Sequence, residues 1–252
     1  MKLVVFYLLL FISTNLFISA PAWAHPQDED IILDIEQGQL NLDVSTLDEE
    51  YIAALKRQRM RKLQAMSWSE KFWLYTQAGF EHIIPKGLDH ILFVLGLYFS
   101  SLLFIKLLWQ VTAFTLAHSI TLGLAALGFV TVPGAIVEPL IALSIVWIAL
   151  ENCLFKQTAR WRPVLVFGFG LLHGLGFASV LQDYGLPKGD LVPSLLAFNL
   201  GVEFGQLAVL FAAFCLTFWF RQKHWYRATL QMPVSIIIGL VGLWWFIERT
   251  LL

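Results

Sequence analysis

Residues 109–129 read WQVTAFTLAHSITLGLAALGF, from Trp109 to Phe129, and contain no Asp, Glu, Lys or Arg. Twenty or so such residues in a helix cross roughly 30 Å of hydrocarbon. The stretch therefore reads as a transmembrane helix, with one histidine, His118, near its middle. Working outward, five more apolar runs give expected spans at 88–105, 134–154, 161–182, 191–220 and 232–251. The fold class is all-α, a polytopic membrane helix bundle of about six transmembrane helices. The whole chain agrees, with 58% hydrophobic and 14% charged residues among 252, where soluble domains carry about a quarter charged. A net charge of −1 leaves no footprint for nucleic acid. Cys153 and Cys215 both fall in apolar runs, so neither a disulfide framework nor a CxxC site is expected.

At the N-terminus Lys2 precedes the apolar stretch 3–18, and Ala22-Trp23-Ala24 follows. This is the pattern of a signal peptide, 1–24, cleaved before His25. It places the mature N-terminus in the periplasm. Residues 25–70 form a short polar segment, acidic at Asp28-Glu29-Asp30 and basic around Lys56 to Lys62. The acidic start reads either as a solvated tail or as a collector of cations. Between Trp68 and Ile84 aromatic residues mix with charges, the pattern of an amphipathic helix lying at the interface. The transmembrane domain is then 71–252. With an outside start, the loops expected inside hold Lys106, then Lys156, Arg160 and Arg162, then Arg221, Lys223 and Arg227. The outer loops hold Lys188, so the positive-inside rule agrees with the signal peptide.

Ionisable groups inside spans are expensive and mark functional sites. The expected spans carry Asp89 and His90, His118, Glu138, Glu151, His173 and Glu203, with Asn199 and Gln206 beside the last. At 1.5 Å per residue, His173 and Asn199 lie roughly 12–13 Å deep and His118 and Glu203 about 18 Å. Asp89, His90 and Glu138 come out shallower, within roughly 7 Å of the outer surface. The expectation is a polar column from the outer face to the midplane. Asn199, Glu203 and Gln206 share one helical stripe, while Gly201 and Gly205 mark a face for close helix contact. Gly170, Gly174 and Ala178 make a similar ridge beside His173. Imidazole with carboxylate suits a divalent nickel, cobalt or zinc ion. Each group also has an ordinary reading. A lone histidine can bond a neighbouring helix, Glu138 can cap or pair at the interface, Glu151 can pair with Lys156, and Asn199 and Gln206 can tie helices together. The 10 Trp and 21 Phe need only lipid contact.

The strings Gly79-Phe80-Glu81-His82-Ile83, Gly87-Leu88-Asp89-His90-Ile91-Leu92-Phe93, Phe114-Thr115-Leu116-Ala117-His118-Ser119, Val137-Glu138-Pro139-Leu140-Ile141-Ala142, His173-Gly174-Leu175-Gly176-Phe177-Ala178 and Phe198-Asn199-Leu200-Gly201-Val202-Glu203 occur in this order. Together they resemble the HupE/UreJ family, in its branch with an extracytoplasmic N-terminal region, over about residues 70–250. The resemblance implies a bacterial inner-membrane nickel or cobalt permease linked to hydrogenase or urease maturation proteins. Carried over by position, it adds His82 to the polar set. Classical nickel/cobalt permeases set four residues between His and Asp-His; here six separate His82 from Asp89.

The metal ligands expected are therefore His90, His118, His173, Asp89, Glu138 and Glu203, oriented by His82, Asn199 and Gln206. The cargo is nickel or cobalt, and a gate is expected near Glu151-Asn152. No G-x-x-x-x-G-K-[ST] string for ATP occurs. Two other readings stay open: an intramembrane zinc-dependent hydrolase, and an accessory subunit for metalloenzyme maturation.

Overall fold

The computed structural model describes residues 57, 60–101, 103–155, 161–177 and 190–251. The chain divides into two units, Met1–Ser45 and Thr46–Leu252, and every described residue belongs to the second. The expected signal peptide, the acidic tail, Lys156, Ala178 and Lys188 lie outside the described residues.

Among the described residues from Trp68 onward, seven α-helices follow in order: α1 Trp68–Ile83, α2 Leu88–Ser100, α3 Phe104–Ala126, α4 Gly134–Leu154, α5 Arg162–Gly176, α6 Leu191–Thr217 and α7 Met232–Leu251. A π-helical turn, Arg227–Gln231, leads into α7. No strand occurs among the described residues, and the all-α membrane bundle expected from the apolar runs is what forms. Four helices are long and apolar enough to cross a membrane: α3, α4, α6, and α7 with its π turn. α1 and α2 pass the same test only as a pair, bent by 70° at a short break. α5 has 15 residues and is shorter than a full span. Of the six spans expected, four correspond to long helices and one to the bent pair, while the span expected at 161–182 is represented by the short α5.

Local sequence explains the ends. Ser67 and Glu70 close a capping box on α1, with Ser67 N–H donating to Glu70 Oε2 at 2.7 Å. Pro85 lacks the N–H that would carry α1 onward. After α3, Gly128 takes φ +76, and its N–H and that of Phe129 close back on Ala125 and Leu124. Only glycine enters that region without strain. On α3, Val111, Phe114, His118 and Leu122 are buried, while Trp109, Leu116, Ile120 and Leu124 are exposed as a lipid-facing stripe.

The segment 68–84 departs from expectation. It does not stand apart as a surface helix; α1 packs along α6, in the same direction. Lys71 Nζ meets Asp190 Oδ2 at 2.6 Å at one end, and Ile83 lies against Gly205 at the other. A Cβ on Gly79 would strike the Phe198 carbonyl oxygen, and one on Gly201 the Thr76 carbonyl oxygen. Small residues here let two backbones touch, as the sequence led one to expect for Gly201 and Gly205. α2 then continues the traverse, and its Tyr98 hydroxyl bonds Thr217 at the far end of α6. Taken as one span, the α1–α2 pair begins at Trp68 rather than residue 88 and is broken in the middle. A second small-residue seam joins α5 to α3, where a Cβ on Gly170 would stand 2.5 Å from the Phe114 carbonyl oxygen.

Candidate metal centre

The break between α1 and α2 is residues 84–87, Ile84-Pro85-Lys86-Gly87. It is held by Lys86 N–H to the Glu81 carbonyl and Gly87 N–H to the Ile83 carbonyl. A Cβ on Gly87 would collide with the His82 carbonyl oxygen and crowd His90 Nδ1 at 3.3 Å. Glycine there lets the last turn of α1 and the first turn of α2 fold onto each other. The result is that His82 and His90 face each other with ring centroids 4.7 Å apart.

α3 and α5 bring two further imidazoles to this break. His90 lies 5.9 Å from His118 and 4.8 Å from His173, ring to ring. Four of the chain's six histidines thus meet in one place. Two ligand sets form: His82, His90 and His118, and Asp89, His90 and His173. Within each set the donor atoms lie within 4.8 Å of one another. Two nitrogens bound to one ion at ordinary bond lengths stand at most about 4.2 Å apart, so any contraction needed is small. His90 belongs to both sets.

Hydrogen bonds decide which nitrogen each ring offers. Asn199 Nδ2 donates to the Leu195 carbonyl at 2.8 Å, which leaves Asn199 Oδ1 as an acceptor 3.1 Å from His118 Nδ1. His118 Nδ1 must then carry the proton, and its lone pair sits on Nε2. Ser144 donates its hydroxyl to the Ile141 carbonyl at 2.6 Å, so its oxygen accepts from His173 Nε2 at 3.2 Å. That leaves the His173 lone pair on Nδ1. Asp89 Oδ1 accepts from the His90 backbone N–H at 2.8 Å and stands 3.1 Å from His90 Nδ1, leaving Nε2 for a ligand. His90 Nε2, His118 Nε2 and His173 Nδ1 are all buried without a hydrogen-bond partner. Buried polar atoms are almost always satisfied, and a bound cation is one partner that would satisfy all three of these exceptions.

Phenylalanines wall the cluster. Phe177 lies 4.0 Å from His82 and stacks on Phe198, while Phe114 and Phe93 lie 5.0 and 5.4 Å from His173. The lipid-contact reading of the aromatic residues does not cover these four, which are buried inside the bundle. Their low polarity strengthens any electrostatic contact within.

The remaining expected residues fall elsewhere. Asn199, expected to orient a ligand, bonds His118. Glu203 accepts from Thr112 Oγ1 at 2.7 Å, and Gln206 Oε1 from Thr115 Oγ1 at 2.9 Å, so both face α3 away from the two sets. Glu138 opens α4, half-buried over Gly134, and its carbonyl accepts from Arg249 at 3.3 Å. Neither Glu138 nor Glu203 belongs to a set. His82, expected to orient, stands in one of the two sets with His90 and His118. Ser144 was not among the expected residues, and one buried hydroxyl on an apolar helix gives no sequence signal. In place of the expected column, Asp89 and His90 stand in one cluster with His82, His118 and His173.

A profile of the HupE / UreJ protein family matches residues 56–249. The chain belongs to the HupE/UreJ family. No curated protein and no solved structure matches it. HupE/UreJ proteins are associated with nickel and cobalt transport or with accessory roles for metalloenzymes. The four histidines and Asp89 fall in the ordered strings that carried the resemblance.

Proposed function

We propose that this HupE/UreJ protein is a permease of the bacterial inner membrane for a divalent transition metal, nickel first and cobalt next. One observation carries the reading: three buried imidazole nitrogens without a hydrogen-bond partner, from α2, α3 and α5, fall in two ligand sets that share His90 and include Asp89 and His82. Helix breaks deep in a bundle are where membrane transporters hold their ions, because unwound backbone and side chains converge there. The break at 84–87 has that character. Neutral imidazole and one carboxylate favour nickel or cobalt over hard calcium or soft copper(I). Energy would come from the membrane potential, a proton gradient or a partner. In this reading Trp68 lies on the periplasmic side and the α4–α5 connection in the cytoplasm, an orientation that the basic residues of the loops expected inside favour.

The test is the metal content of detergent-purified protein, beside a His118→Ala/His173→Ala variant. Stoichiometric nickel or cobalt, lost in the variant, supports the permease. A well-folded protein that binds neither ion, and cells that take up no nickel, would end the reading.

The intramembrane hydrolase keeps one observation in its favour. Below the cluster Phe93, Leu97, Ile145, Ile148 and Val166 are fully buried, leaving an apolar layer on that side. Tightly retained zinc with no nickel uptake would move the assignment there.

A further inference from the structure

Beyond that layer, at the far ends of α4 and α5, lies a second pair of charged groups. Glu151 and Arg162 are 7% and 2% exposed. Glu151 is the only buried carboxylate among the described residues. Arg162 Nη1 stands 3.5 Å from Glu151 Oε2, well beyond the reach of a good charge-assisted hydrogen bond. Glu151 Oε2, Arg162 Nε and Arg162 Nη2 make no hydrogen bond. A buried ion pair with its polar atoms this poorly satisfied opposes folding rather than supporting it. Its presence needs another reason.

Position supplies one. α4 and α5 pack antiparallel, and the same two helices carry the His173–Ser144 contact of the cluster. Glu151 lies seven residues past Ser144, about 10 Å along α4 toward the cytoplasmic end. Only the apolar layer separates the two places. Asn152, next to Glu151, donates to the Gly96 carbonyl at 2.8 Å and ties α4 to α2. Arg227 donates to the carbonyls of Phe155 and Cys153 at the end of α4. A cation leaving the cluster along α4 and α5 reaches the Glu151–Arg162 pair, in which the guanidinium neutralises the carboxylate while the pair is closed. Once the pair parts, the cation meets a carboxylate suited to a divalent ion. Because His173 and Arg162 share the short helix α5, a tilt of α5 that opens the pair also moves His173 off Ser144.

We infer that Glu151 and Arg162 are the inner latch of the transport path, Arg162 neutralising Glu151 while the pair is closed and Glu151 receiving the metal when α4 and α5 separate. The inference rests on the transport reading above.

The experiment measures two quantities on the full-length protein: nickel bound to the purified protein at equilibrium, and radioactive nickel taken up by cells. Glu151→Gln lies far from the cluster and should bind nickel within about twofold of the parent. Its uptake should fall by about tenfold or more. The reversed pair, Glu151→Arg with Arg162→Glu, should recover uptake relative to either single change. If leaving one charge buried prevents folding, Glu151→Leu/Arg162→Leu removes both and should fold, bind nickel and fail to transport. Uptake at the parent level in Glu151→Gln or in the double leucine variant overturns the latch while transport stands. A parent protein that neither binds nor takes up nickel overturns transport itself.

Discussion

Asn199 Oδ1 lies 3.1 Å from His118 Nδ1, and the two residues, on different helices, are eighty-one positions apart in sequence. The amide is itself pinned by the Leu195 carbonyl, so it cannot rotate to offer a donor. A carboxamide thus sets the tautomer of a ring whose other nitrogen faces the cluster. Removing it frees the ring to rotate and to protonate on either nitrogen. Asn199→Ala should weaken nickel or cobalt binding by about 10- to 100-fold without abolishing it, the usual effect of losing a group that orients a ligand. Competition titration with a chelator measures this. Parent-level affinity would show that His118 is not a ligand.

Ser144 performs the same task for His173 from α4. Ser144→Ala removes the acceptor and leaves His173 Nε2–H buried and unpaired. A weaker site is expected, again by about tenfold or more, in a protein that stays folded. Ser144→Thr keeps the hydroxyl and should retain more of the affinity than the alanine variant. Equal losses in both would point to packing rather than to the hydrogen bond.

The fold class and much of the site were legible in the sequence. Apolar runs of about twenty residues leave few architectures, and His118 and His173 stand out because lipid tolerates no idle imidazole. The break was not legible. Residues 68–84 mix Glu70, Lys71 and Glu81 with aromatics, which matches an interfacial helix as well as half of a broken span. Only the packing of Gly79 against α6 separates the two, and that contact joins residues more than a hundred positions apart. Ser144, the phenylalanine wall and the Glu151–Arg162 pair escaped for the same reason, since each acquires its meaning from a partner helix.

His90 is shared by the two ligand sets, while His82 and His118 belong to one and Asp89 and His173 to the other. The single changes should therefore rank. His90→Ala removes a ligand from both sets and should abolish measurable nickel binding. His82→Ala or His173→Ala leaves one set intact and should retain a weaker site. Cobalt(II) absorption offers a second readout, because a three-nitrogen set and a set with one carboxylate give different ligand-field bands. Equal, complete loss in all three variants would mean that one ion draws on every ligand at once.

The α1–α6 seam determines whether the break between α1 and α2 can form. A Cβ at Gly79 or Gly201 meets a backbone carbonyl of the facing helix, and backbone cannot swing aside as a side chain does. Gly201→Ala should push α1 off α6 and lose about 1–3 kcal/mol, typical of overpacking. It should also displace His82, so metal affinity falls together with the melting temperature in detergent. Gly123→Ala is the control. It sits in α3 with Leu195 Cδ1 at 3.8 Å as the nearest obstacle, an ordinary contact. Alanine suits a helix better than glycine, so this variant should melt at or above the parent temperature and bind metal unchanged. A Gly201→Ala protein with full stability and full affinity would show that α1 does not need the close approach to hold His82 in place.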